Sequence, residues 1–133
     1  MTGGLPAVLA MDGGNSKTDL ALVAADGSLL ATARGGGIPA PARPEATVRL
    51  LAGLAGQIQR QAGLAGRAVA RHISACVANA DLPEEEQELA AALRAQGWSE
   101  TTVVVNDTFA VLRAGLACAA PLDGRRWGVG AVC

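Results

Sequence analysis

The sequence has few aromatic residues and no excess of basic charge. Its 133 residues include two tryptophans, one phenylalanine and no tyrosine. The core must therefore be built from valine, leucine, isoleucine and alanine, which suits a parallel sheet covered by helices. Lysine and arginine together number 11, against 12 acidic residues. This balance argues against the basic surface expected of a protein that binds nucleic acid.

Signals for secretion, membrane insertion and disulfide formation are also missing. The first residues do not combine a charged segment with a following apolar run, so we expect no signal peptide. No run of about 18 uncharged apolar residues occurs, so we expect no membrane span. Three cysteines without CxxC spacing are interpreted as small hydrophobic side chains of a cytoplasmic protein: Cys76, Cys118 and Cys133.

Short apolar runs separated by turn residues predict six strands. The dipeptide Asp26-Gly27 is expected to join the second and third strands, because glycine supplies the positive φ of a tight hairpin. The predicted strands cover residues 7–12, 18–25, 28–34, 72–79, 101–106 and 127–133.

Three helices are predicted between and after the later strands. Pro44 suits the first turn of a helix at residues 44–62, which Gly63 ends. Pro83 and the three glutamates that follow it begin the second helix, which Gly97 ends. The third helix is predicted at residues 107–116.

The predicted order is β-β-β-α-β-α-β-α-β. A meander followed by alternating helices and strands implies a mixed sheet with helices on both faces. The sequence therefore predicts an α/β fold of the ribonuclease H-like type, with residues 1–133 forming one domain.

The segment MDGGNSKTDLAL places a glycine-rich turn directly after the first strand. Ligands of open α/β sheets gather beyond the carboxyl ends of strands, and glycines let a backbone approach a phosphate closely. Asp12 is suited to bind Mg²⁺, which prefers oxygen ligands. The residues predicted to bind phosphate are Gly13, Gly14, Asn15, Ser16, Lys17 and Thr18.

Two better-known glycine motifs are excluded. A Walker A motif has glycine directly before its lysine and a helix after it. Here Ser16 precedes Lys17, and a strand is predicted to follow. The dinucleotide-binding pattern needs Gly-x-Gly before a helix, and both features are missing.

Asp107 follows the β-branched strand TTVVVN and opens a helix, again at the carboxyl edge of the sheet. Alone, it is equally well interpreted as part of a helix N-cap. If the fourth strand separates the first from the fifth, Asp12 and Asp107 face the same crevice. One carboxylate can then hold metal while the other accepts a proton from an attacking hydroxyl, as phosphoryl transfer to an alcohol requires.

Five segments taken in order resemble the BadF/BadG/BcrA/BcrD ATPase family, and within it the N-acetylglucosamine kinases. They are MDGGNSKTDLALV, the ADG hairpin, NADLPEEE, VVNDTFAVLRAG and WGVGAVC. The resemblance runs through essentially the whole chain. It implies a cytoplasmic kinase of the actin and sugar-kinase superfamily that uses ATP, Mg²⁺ and an amino sugar. It implies no nucleic-acid or membrane partner, and it allows a homodimer.

The resemblance also implies residue roles. Residues 12–18 would form the first phosphate loop, with ATP as its ligand. Asp107 would be the catalytic base that deprotonates the sugar hydroxyl. The sugar contacts would come from Asn79, Asp81 and Asn106.

The sequence departs from the family in two places. The family loop after the third strand carries polar sugar-binding residues, often Asn or His, whereas GGGIPAPARP has neither. In the family, the strand matching WGVGAVC continues into a second phosphate loop and a second domain with the adenosine pocket. This chain stops before both. We therefore expect it to be the N-terminal half of such a kinase and to be inactive alone.

Three other functions remain open. The first is an ATPase that activates a radical dehydratase through an iron–sulfur cluster, which the scattered cysteines do not favour. The second is a ribonuclease H-like nuclease in which Asp12 and Asp107 both bind metal, although the chain lacks a basic face. The third is a non-catalytic remnant that binds a ligand or a partner.

Overall fold

A five-stranded mixed sheet forms the framework of the molecule. The structure, a computed structural model, describes residues 4–41 and 43–110. The sheet order is β3-β2-β1-β4-β5, with the β1-β2-β3 meander antiparallel and β1, β4 and β5 parallel. β4 thus separates β1 from β5. The strands are β1 Val8–Gly13, β2 Lys17–Val23, β3 Leu29–Gly36, β4 His72–Val77 and β5 Thr101–Asn106.

A tight turn joins β2 to β3 at the predicted position. The Ala24 N–H donates to the Ser28 carbonyl, and the Gly27 N–H donates to the Ala24 carbonyl, both at 2.9 Å. Gly27 has a φ of 88°, which glycine adopts without steric cost. The Asp26 carboxylate accepts a hydrogen bond from the Ser28 N–H at 2.9 Å. The hairpin is therefore confirmed, but its turn spans residues 24–28 and is longer than the predicted two-residue turn.

Alternating burial divides the sheet into two faces. In β2, Leu20 and Leu22 are buried, while Asp19 and Ala21 are half-buried on the opposite side. The core face carries Leu9, Met11, Leu20, Leu22, Ala31, Ala33, Ile73, Ala75, Val77, Thr102 and Val104. The side chains that point the other way form what we call the second face.

Helix α1, Pro44–Ala62, has the predicted ends. Pro44 stands at its first turn, and Gly63 ends it in the left-handed conformation with a φ of 64°. The helix packs against β2 and β3. The buried stripe that covers the sheet consists of Thr47, Leu51, Leu54, Ala55 and Ile58.

Helix α2, Pro83–Arg94, has an N-terminus that is capped by one of its own acidic side chains. The Glu85 carboxylate accepts hydrogen bonds from the backbone N–H groups of Asp81 at 2.9 Å and Leu82 at 3.0 Å. The helix buries Leu89, Ala90 and Leu93 and packs against β5 and α1. Because α2 contacts α1, both helices lie on the core face.

Within residues 4–41 and 43–110, α1 and α2 both cover the core face, and a helix on the opposite face stays a prediction. That prediction depended on the helix at residues 107–116, of which residues 108–110 are described as helical. The predicted strand at residues 127–133 lies outside the described residues, as do Cys118 and Cys133. No described helix is long and apolar enough to cross a membrane.

The described strand ends differ from the predicted ones by up to two residues. Gly13 pairs with Thr18, and Lys17 pairs with Gly36, so the sheet continues into the glycine-rich turn. The chain therefore reverses direction within residues 14–16, between the end of β1 and the start of β2.

Candidate active site

The glycine turn, residues 12–18, lies at the carboxyl end of β1 and is held by two neighbouring loops. The Gly13 carbonyl accepts a hydrogen bond from the Ala78 N–H at 2.6 Å. The Gly14 carbonyl accepts one from the Ile38 N–H at 2.8 Å. The loops after β4 and β3 therefore fix the backbone of the turn.

Gly37 packs directly against the glycine turn. A Cβ atom at this position would lie 1.9 Å from the Asn15 carbonyl oxygen and 2.9 Å from the Ser16 nitrogen. These are backbone atoms, so no side-chain rotation would relieve the overlap. Gly37 is thus required for close packing, whereas the sequence indicated only a loop at this position.

The parallel strands bring Asp12 and Asp107 to one edge of the second face. Asp12 is opposite Cys76, and Cys76 is opposite Val105. Side chains alternate along a strand, so Asp107, two residues after Val105, lies on the same face of the sheet as Asp12. Partial burial raises the pKa of Asp12, and the negative charge of Asp107 raises that pKa further. The two carboxylates are therefore close enough to repel each other.

A third carboxylate, Asp19, stands on the other side of Asp12 and is paired with a cation. Asp19 is opposite both Asp12 and Arg34 in the sheet. The Arg34 guanidinium donates two hydrogen bonds to it, and these lower the pKa of Asp19. The Lys17 ammonium lies 3.5 Å from the same carboxylate. The sequence did not reveal this pair, although both residues follow the strand alternation.

Replacing Asp12 with asparagine is expected to stabilise the metal-free chain at neutral pH. The raised pKa means that the folded state binds the proton more tightly, so stability falls as pH rises from 3.8 through the folded-state pKa. Asp12→Asn removes the ionisable group and with it this pH-dependent loss of stability. We expect a gain of about 0.5 kcal/mol or less at pH 7, because solvent screens the charges. Thermal unfolding in a chelator at pH 7 and pH 4 measures it.

The neighbouring carboxylate supplies a control of opposite sign. The pKa of Asp19 is lowered by its hydrogen bonds from Arg34, so its ionised form stabilises the fold above the ordinary pKa. Asp19→Asn should therefore lower the melting temperature at pH 7 where Asp12→Asn raises it. Equal shifts in the same direction would contradict the described arrangement of charges.

The polar residues assigned to sugar binding form hydrogen bonds with one another or with the glycine turn. The Asn79 amide donates to the Asn15 side-chain oxygen at 3.1 Å. The Asn106 amide donates to the Asp81 carboxylate at 2.8 Å. Asn79 has a left-handed backbone with a φ of 66°. The structure thus brings these residues together beside the glycine turn.

The residues predicted to bind phosphate are not equally placed. Asn15, Ser16 and Lys17 are exposed at the turn. Thr18 is buried on the core face, and its hydroxyl has no hydrogen-bond partner in the described part of the chain. Thr18 alternates with Leu20 along β2, which explains this orientation, and the predicted phosphate contact of its side chain is not supported. The backbone of residue 18, not its side chain, therefore belongs to the turn.

Cys76 lies on the second face between the two carboxylates, a position that the sequence interpretation missed. It is a free, half-buried thiol. Burial raises its pKa most, and the charges of Asp12 and Asp107 raise it further. This thiol therefore ionises less readily than an ordinary cysteine.

The carboxylates fit a magnesium ion that is held mainly by other ligands. Among the described residues, no group of three or more His, Cys, Asp or Glu side chains could hold a metal. Asp12 lies at the end of β1, where it is accessible to solvent on one side, with Asp107 nearby. Mg²⁺ commonly binds one or two carboxylates and takes its remaining ligands from water and phosphates.

A scan against protein-family models and a search of curated proteins each gave no match. Among solved structures, one matching chain is a protein of Chromobacterium violaceum that is provisionally named an N-acetylglucosamine kinase. The match has a TM-score of 0.62 and 23% sequence identity, and it covers 84% of this chain. The two proteins share a fold. This chain spans 39% of the length of that kinase-like protein.

Proposed function

We propose that this chain forms the N-terminal, phosphate-binding half of an ATP-dependent kinase for an amino sugar, with N-acetylglucosamine as its best candidate. The observation that carries the proposal is the joint position of Asp12 and Asp107 beside the anchored glycine turn. The resemblance to the BadF/BadG/BcrA/BcrD ATPase family supports it. The strand order also supports placing the domain in the ribonuclease H-like, actin-like class.

In this proposal the glycine turn binds the phosphates of ATP. The backbone of Gly13 and Gly14 is already fixed by hydrogen bonds from neighbouring loops, so little order is lost on binding. Asn15, Ser16 and Lys17 supply exposed polar groups. Lys17 can exchange its exposed contact with Asp19 for a phosphate oxygen, because such surface ion pairs are weak.

Asp107 acts as the base in the proposed reaction. Its carboxylate accepts the proton of the sugar hydroxyl while that oxygen attacks the γ-phosphorus and ADP leaves. Asp12 would hold Mg²⁺, which neutralises charge on the phosphates. Metal binding and proton acceptance would thus belong to different elements, since Asp12 lies in β1 and Asp107 in the turn after β5.

The sugar is proposed to lie beside the loops after β4 and β5. Asn79, Asp81 and Asn106 stand there. The loop after β3, with its glycines and prolines, offers no Asn or His to the sugar. Specificity for N-acetylglucosamine would therefore depend on the other loops and on the second half of the kinase. The proposed setting is the cytoplasm, with no nucleic-acid or membrane partner and with a homodimer as one allowed assembly.

Sugar-dependent turnover of ATP by the full-length protein tests this function. We expect ADP formation in Mg²⁺ to rise at least about 100-fold when N-acetylglucosamine is added, because the sugar hydroxyl is the acceptor. The 133-residue chain alone should show no appreciable turnover. ATP hydrolysis at the same rate with and without sugar would rule the kinase assignment out.

A further inference from the structure

The side-chain amide of Asn106 has all its hydrogen-bonding atoms engaged with the protein. Its nitrogen donates to the Asp81 carboxylate at 2.8 Å and to the Ala80 carbonyl at 3.4 Å. Its oxygen accepts from the Thr108 hydroxyl at 2.8 Å and the Thr108 N–H at 3.0 Å. An amide has two N–H groups and two oxygen lone pairs. These four contacts use them all, so a substrate contact would require one to break.

These contacts hold the turn that carries Asp107. Asp107 lies between Asn106 and Thr108. The side-chain oxygen of Asn106 accepts hydrogen bonds from both the backbone N–H and the hydroxyl of Thr108. The turn continues with a hydrogen bond from the Ala110 N–H to the Asp107 carbonyl at 3.1 Å. The direction in which Asp107 projects is thus set by its neighbours.

The loop bonded to Asn106 is also bonded to the glycine turn. Ala78 donates from its backbone to the Gly13 carbonyl, and Asn79 donates from its side chain to Asn15. Residues 78–81 are therefore attached to the glycine turn by their first half and to Asn106 by their second half. The left-handed backbone of Asn79, with a φ of 66°, lies at the centre of this connection.

We propose that Asn106 is a positioning residue, which acts through residues 78–81 to set Asp107 relative to the glycine turn. The inference rests on the proposed kinase function, and it replaces the sugar contact that the family resemblance implies for Asn106. Asn106 then affects proton transfer and leaves sugar affinity nearly unchanged.

The change Asn106→Asp in the full-length protein tests the proposal. It keeps an oxygen for Thr108 but puts a carboxylate against the Asp81 carboxylate, where a donor stood. We expect kcat to fall about 10- to 100-fold, because small misplacements of a catalytic group have effects of this size. The KM for N-acetylglucosamine should stay within about threefold.

Exchanging the two residues separates positioning from substrate contact. In the double variant Asn106→Asp with Asp81→Asn, the amide and the carboxylate change places and the hydrogen bond can form with reversed direction. We expect kcat to recover at least about fivefold over Asn106→Asp alone, a coupling typical of groups in direct contact. Circular dichroism and thermal unfolding show whether each variant is folded.

Other results would overturn the proposal. A sugar KM raised more than about tenfold in Asn106→Asp, and not restored by the exchange, would show that Asn106 binds the sugar. If Asn106→Asp does not fold, Asn106→Ala removes the hydrogen bonds to both Asp81 and Thr108. It should lower kcat at unchanged KM, and an unaltered kcat would refute positioning. A wild-type protein without sugar-dependent turnover contradicts the proposed function and this inference with it.

Discussion

Asp107→Asn is expected to reduce sugar phosphorylation by the full-length protein by a factor of about 10³ or more. General bases contribute roughly 10²–10⁴ to the rate, and an amide in the same place cannot accept the hydroxyl proton. Asparagine has nearly the same shape, so the turn after β5 should persist. KM for ATP should change little, because the glycine turn keeps its backbone contacts. Steady-state ADP release at saturating sugar measures the loss.

A carboxylate remote from the site provides the matched control. Asp26 lies in the β2–β3 hairpin, where its carboxylate accepts hydrogen bonds from Ser28 that asparagine can also accept. Asp26→Asn should keep kcat within about twofold, since surface changes away from a site have small effects. An Asp107→Asn variant as active as Asp26→Asn would show that Asp107 is not the base. Sugar-independent ATP hydrolysis that survives Asp107→Asn would instead point to an ATPase.

Strong local signals explain why some elements could be predicted to the residue. α1 begins at Pro44, which suits a first helical turn, and ends before Gly63, which adopts the left-handed conformation. β5 coincides with the run TTVVVN, whose β-branched side chains favour an extended backbone. Asp107 could be chosen as a candidate because it follows this strand, at the edge where ligands bind in such sheets.

Contacts between distant residues could not be predicted in this way. The bonds from Asn79 to Asn15 and from Asn106 to Asp81 join residues 64 and 25 positions apart. Whether such amides face a ligand or one another depends on the loop conformations, which composition does not specify. Thr18 is different, because its alternation with Leu20 placed it on the core face. The motif suggested a phosphate donor there, whereas the strand alternation seen in the structure buries the side chain.

Gly37→Ala is expected to cause the largest loss of stability among the single changes that we consider. Its Cβ would lie 1.9 Å from the Asn15 carbonyl oxygen, so the glycine turn or the loop after β3 must move. The backbone of Gly37 does not require glycine by its φ, and the effect therefore comes from space alone. Overpacking of this kind costs about 2–3 kcal/mol, which lowers Tm by about 5–10 °C.

The preceding glycine offers a control with the same chemical change. A Cβ on Gly36 would meet no atom within 4 Å, so Gly36→Ala should leave Tm within about 2 °C. Thermal unfolding of the 133-residue chain compares the two variants directly. In the full-length protein, Gly37→Ala should also weaken ATP binding at least about tenfold, because the displaced Asn15 and Ser16 belong to the turn proposed to hold phosphate. Equal melting temperatures for the two variants would contradict the described contact, whereas lower stability with unchanged ATP affinity would place the phosphates elsewhere.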